Sequence, residues 1–273
     1  MNRLFVAYKP PFIGSNAFLN RIKRRYGVKK AGFSGTLDPF ACGSIIIAFG
    51  AYTKLFRFLK KYPKVYRATI WLGAQSESLD LENIKSIEDT APLPPSLVKE
   101  TIEGFKGEFR YIPPAYSAKK VGGKRAYKLA AKGEEVELKE VVSRIEDIKL
   151  ISYRHPFITF EATVSEGTYI RSLAEHISEK LGLKGTLSYL ERVREGMFKY
   201  DNERKLDVVE YLNTEQNFTT LSKDDVWHGK KIEKNMLKNQ KDGIYHLLFD
   251  DFFAIISVEG ERVKYLLNQI PRK

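Results

Sequence analysis

Cysteine is almost missing from this chain: Cys42 is the only one in 273 residues. A single thiol closes no internal disulfide and supplies no cysteine metal cluster. Histidine is scarce too, and His155, His176, His228 and His246 are scattered without metal-ligand spacing, so they read as surface or structural histidines and no metal is expected. Long apolar runs are absent. The longest uncharged one, Ile45–Ala51, falls far short of the roughly 20 residues that a membrane helix needs, and the N-terminus has no signal-peptide apolar core. A cytoplasmic protein with no membrane partner is expected. No P-loop, dinucleotide fingerprint or nucleophile-elbow sequence is present, so no cofactor is called for. Acidic residues are in the minority, 34 against 46 lysines and arginines, for a net charge of +12. With 12% aromatic residues, that excess favours a polyanion partner, because cations release phosphate counterions and rings stack on unpaired bases. Charge alone does not separate RNA from DNA or from an anionic membrane.

The length suits one large domain plus a small module. Leu4–Tyr8 reads as a strand ending at Lys9-Pro10-Pro11. Ser15 then reads as the N-cap of a helix to about Tyr26, with Phe18, Leu19, Ile22 and Tyr26 on its apolar face and Gly27 at its end. Arg21, Lys23, Arg24 and Arg25 make the opposite face basic and lead into Lys29 and Lys30. From Val65 to Leu72 the residues alternate, placing Tyr66, Ala68, Ile70 and Leu72 on one strand face. A proline-rich connection, Lys85–Pro95, enters a helix near Ser96–Phe105. Phe157–Ser165 alternates as a strand, and Ile170, Leu173, Ile177 and Leu181 mark a helix with Arg171 in its first turn. Leu206–Leu212 reads as a further helix and Thr214–Thr220 as a polar connection. Glycines then punctuate apolar stretches at Ile244–Phe249, Phe252–Val258 and Val263–Leu267, the pattern of a small β module.

The segment Gly32–Gly43 sets one acidic residue, Asp38, in a glycine-bounded loop between the basic helix and the apolar run Ser44–Gly50. Pro39 disfavours helical backbone at Asp38 and holds it extended, while the glycines permit tight turns and a close ligand. A lone ionised carboxylate beside a basic surface suits a nucleophile or base acting on an anionic substrate; an Asp-Pro turn is the plainer alternative.

This loop resembles the aspartate motif of the TruB family of tRNA pseudouridine synthases, and further motifs follow in that family's order. Ala7-Tyr8-Lys9-Pro10-Pro11 with Gly14-Ser15 resembles its first motif. Lys64-Val65-Tyr66-Arg67 with Leu72-Gly73 is similar to its tyrosine strand. Pro113–Lys120 with Gly123-Lys124 and Tyr127 looks like its RNA-gripping insertion, in which Gly122-Gly123 reads as a turn. Glu166-Gly167-Thr168-Tyr169-Ile170-Arg171-Ser172 and Tyr189-Leu190-Glu191-Arg192-Val193 complete the series. Ordered motifs spread over most of a chain are far more specific than one short pattern.

The resemblance implies an α+β pseudouridine synthase fold: a mixed, mostly antiparallel sheet flanked by helices, with a reduced PUA-like β module at the C-terminus. Residues 1–216 would form the catalytic domain, with the insertion at 115–133, and residues 217–273 the module. It implies isomerisation of the uridine at position 55 in the T-loop of tRNA, with the tRNA T-arm stem-loop as partner and a monomeric enzyme. Asp38, Tyr66 and Arg171 would be catalytic: Asp38 initiating, Tyr66 stacking on uracil, Arg171 pairing with Asp38. Tyr169 and Leu190 would line the pocket, Lys9 would support the aspartate loop, and Asp80 would gate by holding Arg171 when substrate is absent. Lys119, Lys120 and Lys124 would grip RNA. Two sites depart from the family pattern: Phe33, where many members have histidine, and Glu191-Arg192, where a basic pair is usual. Phe33 is expected to pack or stack in the substrate site. The rival functions are a non-catalytic RNA-binding or remodelling protein on this scaffold, and an enzyme for another structured RNA like the guide-directed members. The joint presence of Asp38, Tyr66 and Arg171 argues against the first, and the absence of long lysine-rich tails against the second.

Overall fold

The computed structural model describes residues 1–114, 116, 117, 119–121, 123–126, 129 and 138–272. Ala115, Ala118, Gly122, Tyr127, Lys128 and residues 130–133 of the insertion, and the side chains of Lys120 and Lys124, lie outside the described residues.

The chain opens with β1 (Arg3–Lys9), α1 (Ser15–Arg25), β2 (Ala31–Ser34) and β3 (Cys42–Phe49). There follow β4 (Lys64–Leu72), a small hairpin of β5 (Ala74–Ser76) and β6 (Ile84–Ile87), α2 (Pro95–Glu103) and β7 (Gly107–Tyr111). β8 (Lys120–Val121) pairs with β9 (Lys124–Arg125). β10 (Val141–Arg154), β11 (Phe157–Val164), α3 (Ile170–Lys180), β12 (Gly185–Glu195) and β13 (Phe198–Lys199) complete the larger part. Its sheet runs β1-β3-β12-β4-β11-β10-β7, with β13 beside β12 and β2 beside β3. Every pairing is antiparallel except β3 with β12.

That exception shapes the site. β3 pairs along its length with β1, while β2 joins it at Ser34–Ile46 through Ala31–Phe49, and β12 joins it only at Cys42 and Gly43. The chain between β2 and β3 therefore emerges where β2 gives way to β12. Gly43, at φ +110°, makes that junction possible: a Cβ there would stand 2.4 Å from the Arg192 carbonyl oxygen, closer than any side chain tolerates.

The apolar patterning explains the layers. In β1, Phe5 and Ala7 face α1 together with Ile45, Ile47 and Phe49 of β3, and α1 answers with Phe18 and Ile22. Leu4, Val6, Ile46 and Ala48 point the other way. Buried on both faces, β3 reads as a continuous apolar run, as such strands do. Tyr66, Ala68, Ile70 and Leu72 of β4 share a core with Val98 and Ile102 of α2 and Leu173, Ala174 and Ile177 of α3, the face expected from the alternation.

The C-terminal sheet runs β14 (Glu215–Asn217), β15 (Gly243–Leu248), β16 (Phe252–Glu259) and β17 (Arg262–Pro271), with the short α4 (Lys223–Trp227) packed near it. β14 lies parallel to β15 and straddles residues 216 and 217, and it falls in the segment expected to be a polar connection. One face of this sheet has its own core around Val226, Leu247 and Ile256. The other shares a core with the larger part, where Phe253, Ile255 and Ile270 meet Leu4, Ile46 and Leu55.

Three local expectations need correction. The segment 32–43 is not wholly loop, since β2 takes Ala31–Ser34. Ser15 is the first residue of α1 and Gly14 the N-cap, which makes no side-chain cap bond; the Ser15 hydroxyl serves the aspartate loop instead. Leu206–Leu212 forms turns, not a helix. Its backbone is bound from outside, Leu206 N–H donating to Leu4 O at 2.9 Å and Tyr211 O accepting from Lys60 N–H at 3.0 Å. Leu206, Val208 and Leu212 are all buried in the shared core, a tertiary demand that outweighs helix propensity.

Candidate active site

Asp38 stands on the loop joining β2 to β3, its side chain about one-third exposed. Three tethers hold that loop. Lys9, at the end of β1 and fully buried, donates through Nζ to the carbonyls of Ile13 at 2.6 Å, Pro10 at 3.0 Å and Pro39 at 3.2 Å. Burial pushes its ammonium down to about 8, against the opposing pull of Cys42 and Asp38. Ser15 Oγ donates to Leu37 O at 2.9 Å and accepts from Leu37 N–H at 3.0 Å. Arg192, almost fully buried, donates through Nη2 to Gly35 O and through Nε to Ser44 O, both at 2.8 Å. Pro39, Leu37 and Gly35 bracket Asp38, so its carboxylate is held from both sides.

The carboxylate meets Arg171. Asp38 Oδ2 lies 3.0 Å from Arg171 Nε, an ion contact, since the Nε–H has no well-directed hydrogen-bond acceptor. The other guanidinium nitrogens are committed: Nη1 to Ser78 O at 2.7 Å and Asp80 Oδ2 at 3.3 Å, Nη2 to Tyr116 O at 2.8 Å. A cation in the first turn of α3 opposes the helix dipole; the two carboxylates offset this. Asp80 is itself buried, which pushes its carboxyl up, while the Ser78 hydroxyl at 2.6 Å and Arg171 pull it back. Asp80 thus has the pairing with Arg171 that its expected gating role requires.

A cavity of about 270 Å³ opens on one side of this pair, lined by Asp38, Tyr66, Tyr169, Arg171, Leu190 and Lys64 among others. Tyr66 arrives from β4, Leu190 from β12, and Tyr169 from the residue preceding α3, its backbone N–H bound by the Tyr111 hydroxyl at 3.1 Å. An aromatic wall, an aliphatic wall and a carboxylate aimed between them can hold a planar base beside an acid/base or nucleophilic group. A second hollow lies across Asp38, lined by Ser15, Asp80, Tyr116 and Arg171. Among the described residues no three His, Cys, Asp or Glu side chains gather as metal ligands, and no helix is long and apolar enough to cross a membrane.

The structure gathers Asp38, Tyr66, Tyr169, Arg171 and Leu190 around one cavity, with Lys9 and Asp80 directly behind it. Phe33 is not among the cavity's lining residues. It is half-buried on β2 opposite Ile47 and packs against the α1 core. Lys119 is half-buried in the insertion. Glu191 accepts from the hydroxyls of Tyr8 at 3.2 Å and Tyr189 at 3.0 Å. Arg21, Arg24, Arg25, Lys29 and Lys30 are exposed, with Arg25 paired to Glu203.

Sequence reasoning missed Ser15 as a tether, Lys64 as a lining residue, and the buried group of Arg192, Glu195 and Lys64. Glu195 lies 3.6 Å from both cations. For Lys64 a signal existed: it precedes Tyr66 by two residues on one strand, so both side chains leave the same face. The Ser15 and Arg192 bonds join residues far apart in sequence and left no local trace.

Residues 23–170 match the TruB family pseudouridylate synthase model for the N-terminal domain. A tRNA pseudouridine synthase B of Nitratiruptor sp. is 68% identical over 273 residues, covering 100% of this chain and 99% of its own. Its counterpart in Sulfurimonas denitrificans is 54% identical over 271 residues, covering 99% of each. Among solved structures, a chain of an H/ACA RNP bound to a substrate RNA containing 2'-deoxyuridine aligns over 99% of this chain and 86% of its own, with a TM-score of 0.67 at 19% identity, a likeness of fold. With the family model and near full-length relatives in agreement, this chain belongs to the TruB family of pseudouridylate synthases.

Proposed function

We propose that this protein is a tRNA pseudouridine synthase that isomerises the T-loop uridine at position 55. The observation that carries the reading is the Asp38–Arg171 contact at 3.0 Å on the floor of a cavity walled by Tyr66 and Leu190. Binding alone needs no carboxylate held against a buried guanidinium, whereas breaking and remaking a glycosidic bond does need one.

The reaction breaks the bond between the ribose anomeric carbon and uracil N1, turns the base and joins C5 to the same carbon; the C5 proton is lost to a base and N1 gains one, so the product is an isomer of the substrate. Electrons balance within the nucleotide, so the chemistry requires positioning and proton transfer. The uridine leaves its stack to enter the cavity, which favours a loop nucleotide. In this reading Tyr66 stacks on the base, Leu190 and Tyr169 confine it, and Asp38 initiates. Arg171 orients Asp38 through their ion contact at 3.0 Å. Asp80 shares Arg171 and so biases where the guanidinium rests. Lys9 holds the loop, and the lysines of the insertion supply phosphate contacts. Phe33 lies outside the cavity, packed against the α1 core, so any stacking it offers would be to RNA beside the cavity and not to the base within it.

The test is an isolated T-arm stem-loop incubated with purified protein, followed by pseudouridine mapping. Modification at the expected T-loop uridine supports the reading. Tight binding without modification favours the remodelling protein, and modification of only full-length tRNA requires a wider recognition surface.

A further inference from the structure

One cation in the catalytic cavity is left over by the roles assigned above. Lys64 begins β4, two residues before Tyr66, and both side chains line the cavity. Two residues along a strand span about 7 Å, comparable to the reach from a nucleotide's base to its backbone phosphate. The Lys64 side chain is only 9% exposed, yet its nearest carboxylate oxygens are Glu195 Oε1 at 3.6 Å and Glu166 Oε1 at 3.9 Å. Neither is at hydrogen-bonding distance. Among the described residues this ammonium is held in a cavity wall by charge alone.

The two carboxylates differ in kind. Glu195 faces Lys64 across the β4–β12 pairing, is fully buried, and is shared with Arg192 at 3.6 Å and the Ser34 hydroxyl at 3.2 Å. It is a fixed structural anion. Glu166 is two-thirds exposed, and its only ion pairs among the described residues are loose ones to Lys61 and Lys64, each at 3.9 Å. It sits on the turn before α3, next to Gly167 at φ +86°, where a Cβ would meet nothing within 4 Å. Such a side chain moves at little cost, since exposed ion pairs contribute from nothing to about 1 kcal/mol. The local count is three cations, Lys61, Lys64 and Arg192, against two anions, Glu166 and Glu195. When Glu166 turns outward, two positive charges remain uncompensated at the cavity mouth.

We propose that Lys64, with Lys61 behind it, takes a backbone phosphate of the nucleotide seated in the catalytic cavity, and that Glu166 is the displaceable anion holding that place in the free protein. The proposal rests on the functional reading above and names the substrate group, a phosphate adjoining the flipped uridine. Glu166 then competes with RNA. Its removal strengthens binding, whereas removal of a carboxylate that organised the site would weaken it.

The test uses full-length protein carrying Asp38→Asn, so that RNA is not converted during the measurement, and a T-arm stem-loop titrated over a range of salt. Lys64→Gln is expected to weaken binding about ten-fold at low salt and to flatten the slope of log affinity against log salt by about 0.7, one single-strand phosphate contact. Lys64→Arg is expected to restore most of that slope. Glu166→Gln is expected to tighten binding about two- to five-fold. A folded Lys64→Gln variant with the parental slope overturns the proposal, as does Glu166→Gln that binds no tighter than its parent. If Lys64→Gln fails to fold because Glu195 loses its partner, Glu166→Gln alone decides. Modification of the same RNA by protein with Asp38 intact is measured alongside: its absence sinks the functional reading, whereas its presence with an unaltered Lys64→Gln slope sinks only the phosphate contact.

Discussion

Replacing Ser15 by alanine tests the claim that the aspartate loop is held in place from outside itself. The hydroxyl is buried and satisfies both backbone groups of Leu37, the residue preceding Asp38, at 2.9 and 3.0 Å. An unmet buried backbone group costs about 1–3 kcal/mol. The hollow lined by Ser15, Leu37 and Asp38 admits water, which relieves part of the loss, so about 1–3 kcal/mol in total is the expected destabilisation. At about 2–4 °C per kcal/mol for a domain of this size, Tm should fall by several degrees. The rate should fall further than stability suggests, because a displacement of about 1 Å in a reacting group can cost about 100-fold. Thermal melts and single-turnover conversion of a T-arm stem-loop measure the two effects. If Ser15 acts through Asp38, adding Ser15→Ala to Asp38→Asn should cause no further loss of rate, the non-additivity expected of groups that act as one unit. A Ser15→Ala protein with wild-type Tm and turnover would refute the tethering argument.

Two other outcomes are expected. The Lys9 ammonium is pushed down to about 8 by burial, so between that pH and the ordinary lysine value the unfolded chain binds more protons than the folded one. Stability should therefore rise with pH across that window, and denaturant melts of Lys9→Met should lack this rise. Phe33→His should leave turnover within about ten-fold, roughly 1.4 kcal/mol, while Phe33→Ala should weaken RNA binding by about 1–3 kcal/mol, the scale of one lost aromatic stack. Single-turnover kinetics with separate binding measurements distinguish these. Normal RNA binding by Phe33→Ala would leave Phe33 only its packing against Ile47 and the α1 core.

Where the sequence was legible, local periodicity was the reason. The alternation of Tyr66, Ala68, Ile70 and Leu72 and the spacing of Ile170, Leu173 and Ile177 each mark a face buried by the element itself. Resemblance supplied the pairing of Asp38 with Arg171, which no spacing in the chain announces. What escaped notice depends on partners distant in sequence. β2 reads as loop because its four residues gain strand structure from β3. Leu206–Leu212 reads as helix because Val208 and Leu212 are spaced four apart, as on one helical face, yet Leu206 does not share that face and the segment's backbone partners lie at Leu4 and Lys60. Arg192 belongs to a motif noticed for its departure at Glu191, but its hydrogen bonds to Gly35 and Ser44 become visible only once β12 lies beside β3.

The central claim is that Asp38 performs chemistry on a uridine held in the cavity, and tritium release from a uridine-labelled T-arm stem-loop tests it most directly. Asp38→Asn preserves the loop's shape and removes the charge that faces Arg171 at 3.0 Å. RNA affinity should stay within a few-fold, and release should fall by about a thousand-fold or more, the scale for loss of a covalent or acid/base group. Near-normal release from Asp38→Asn would contradict the account.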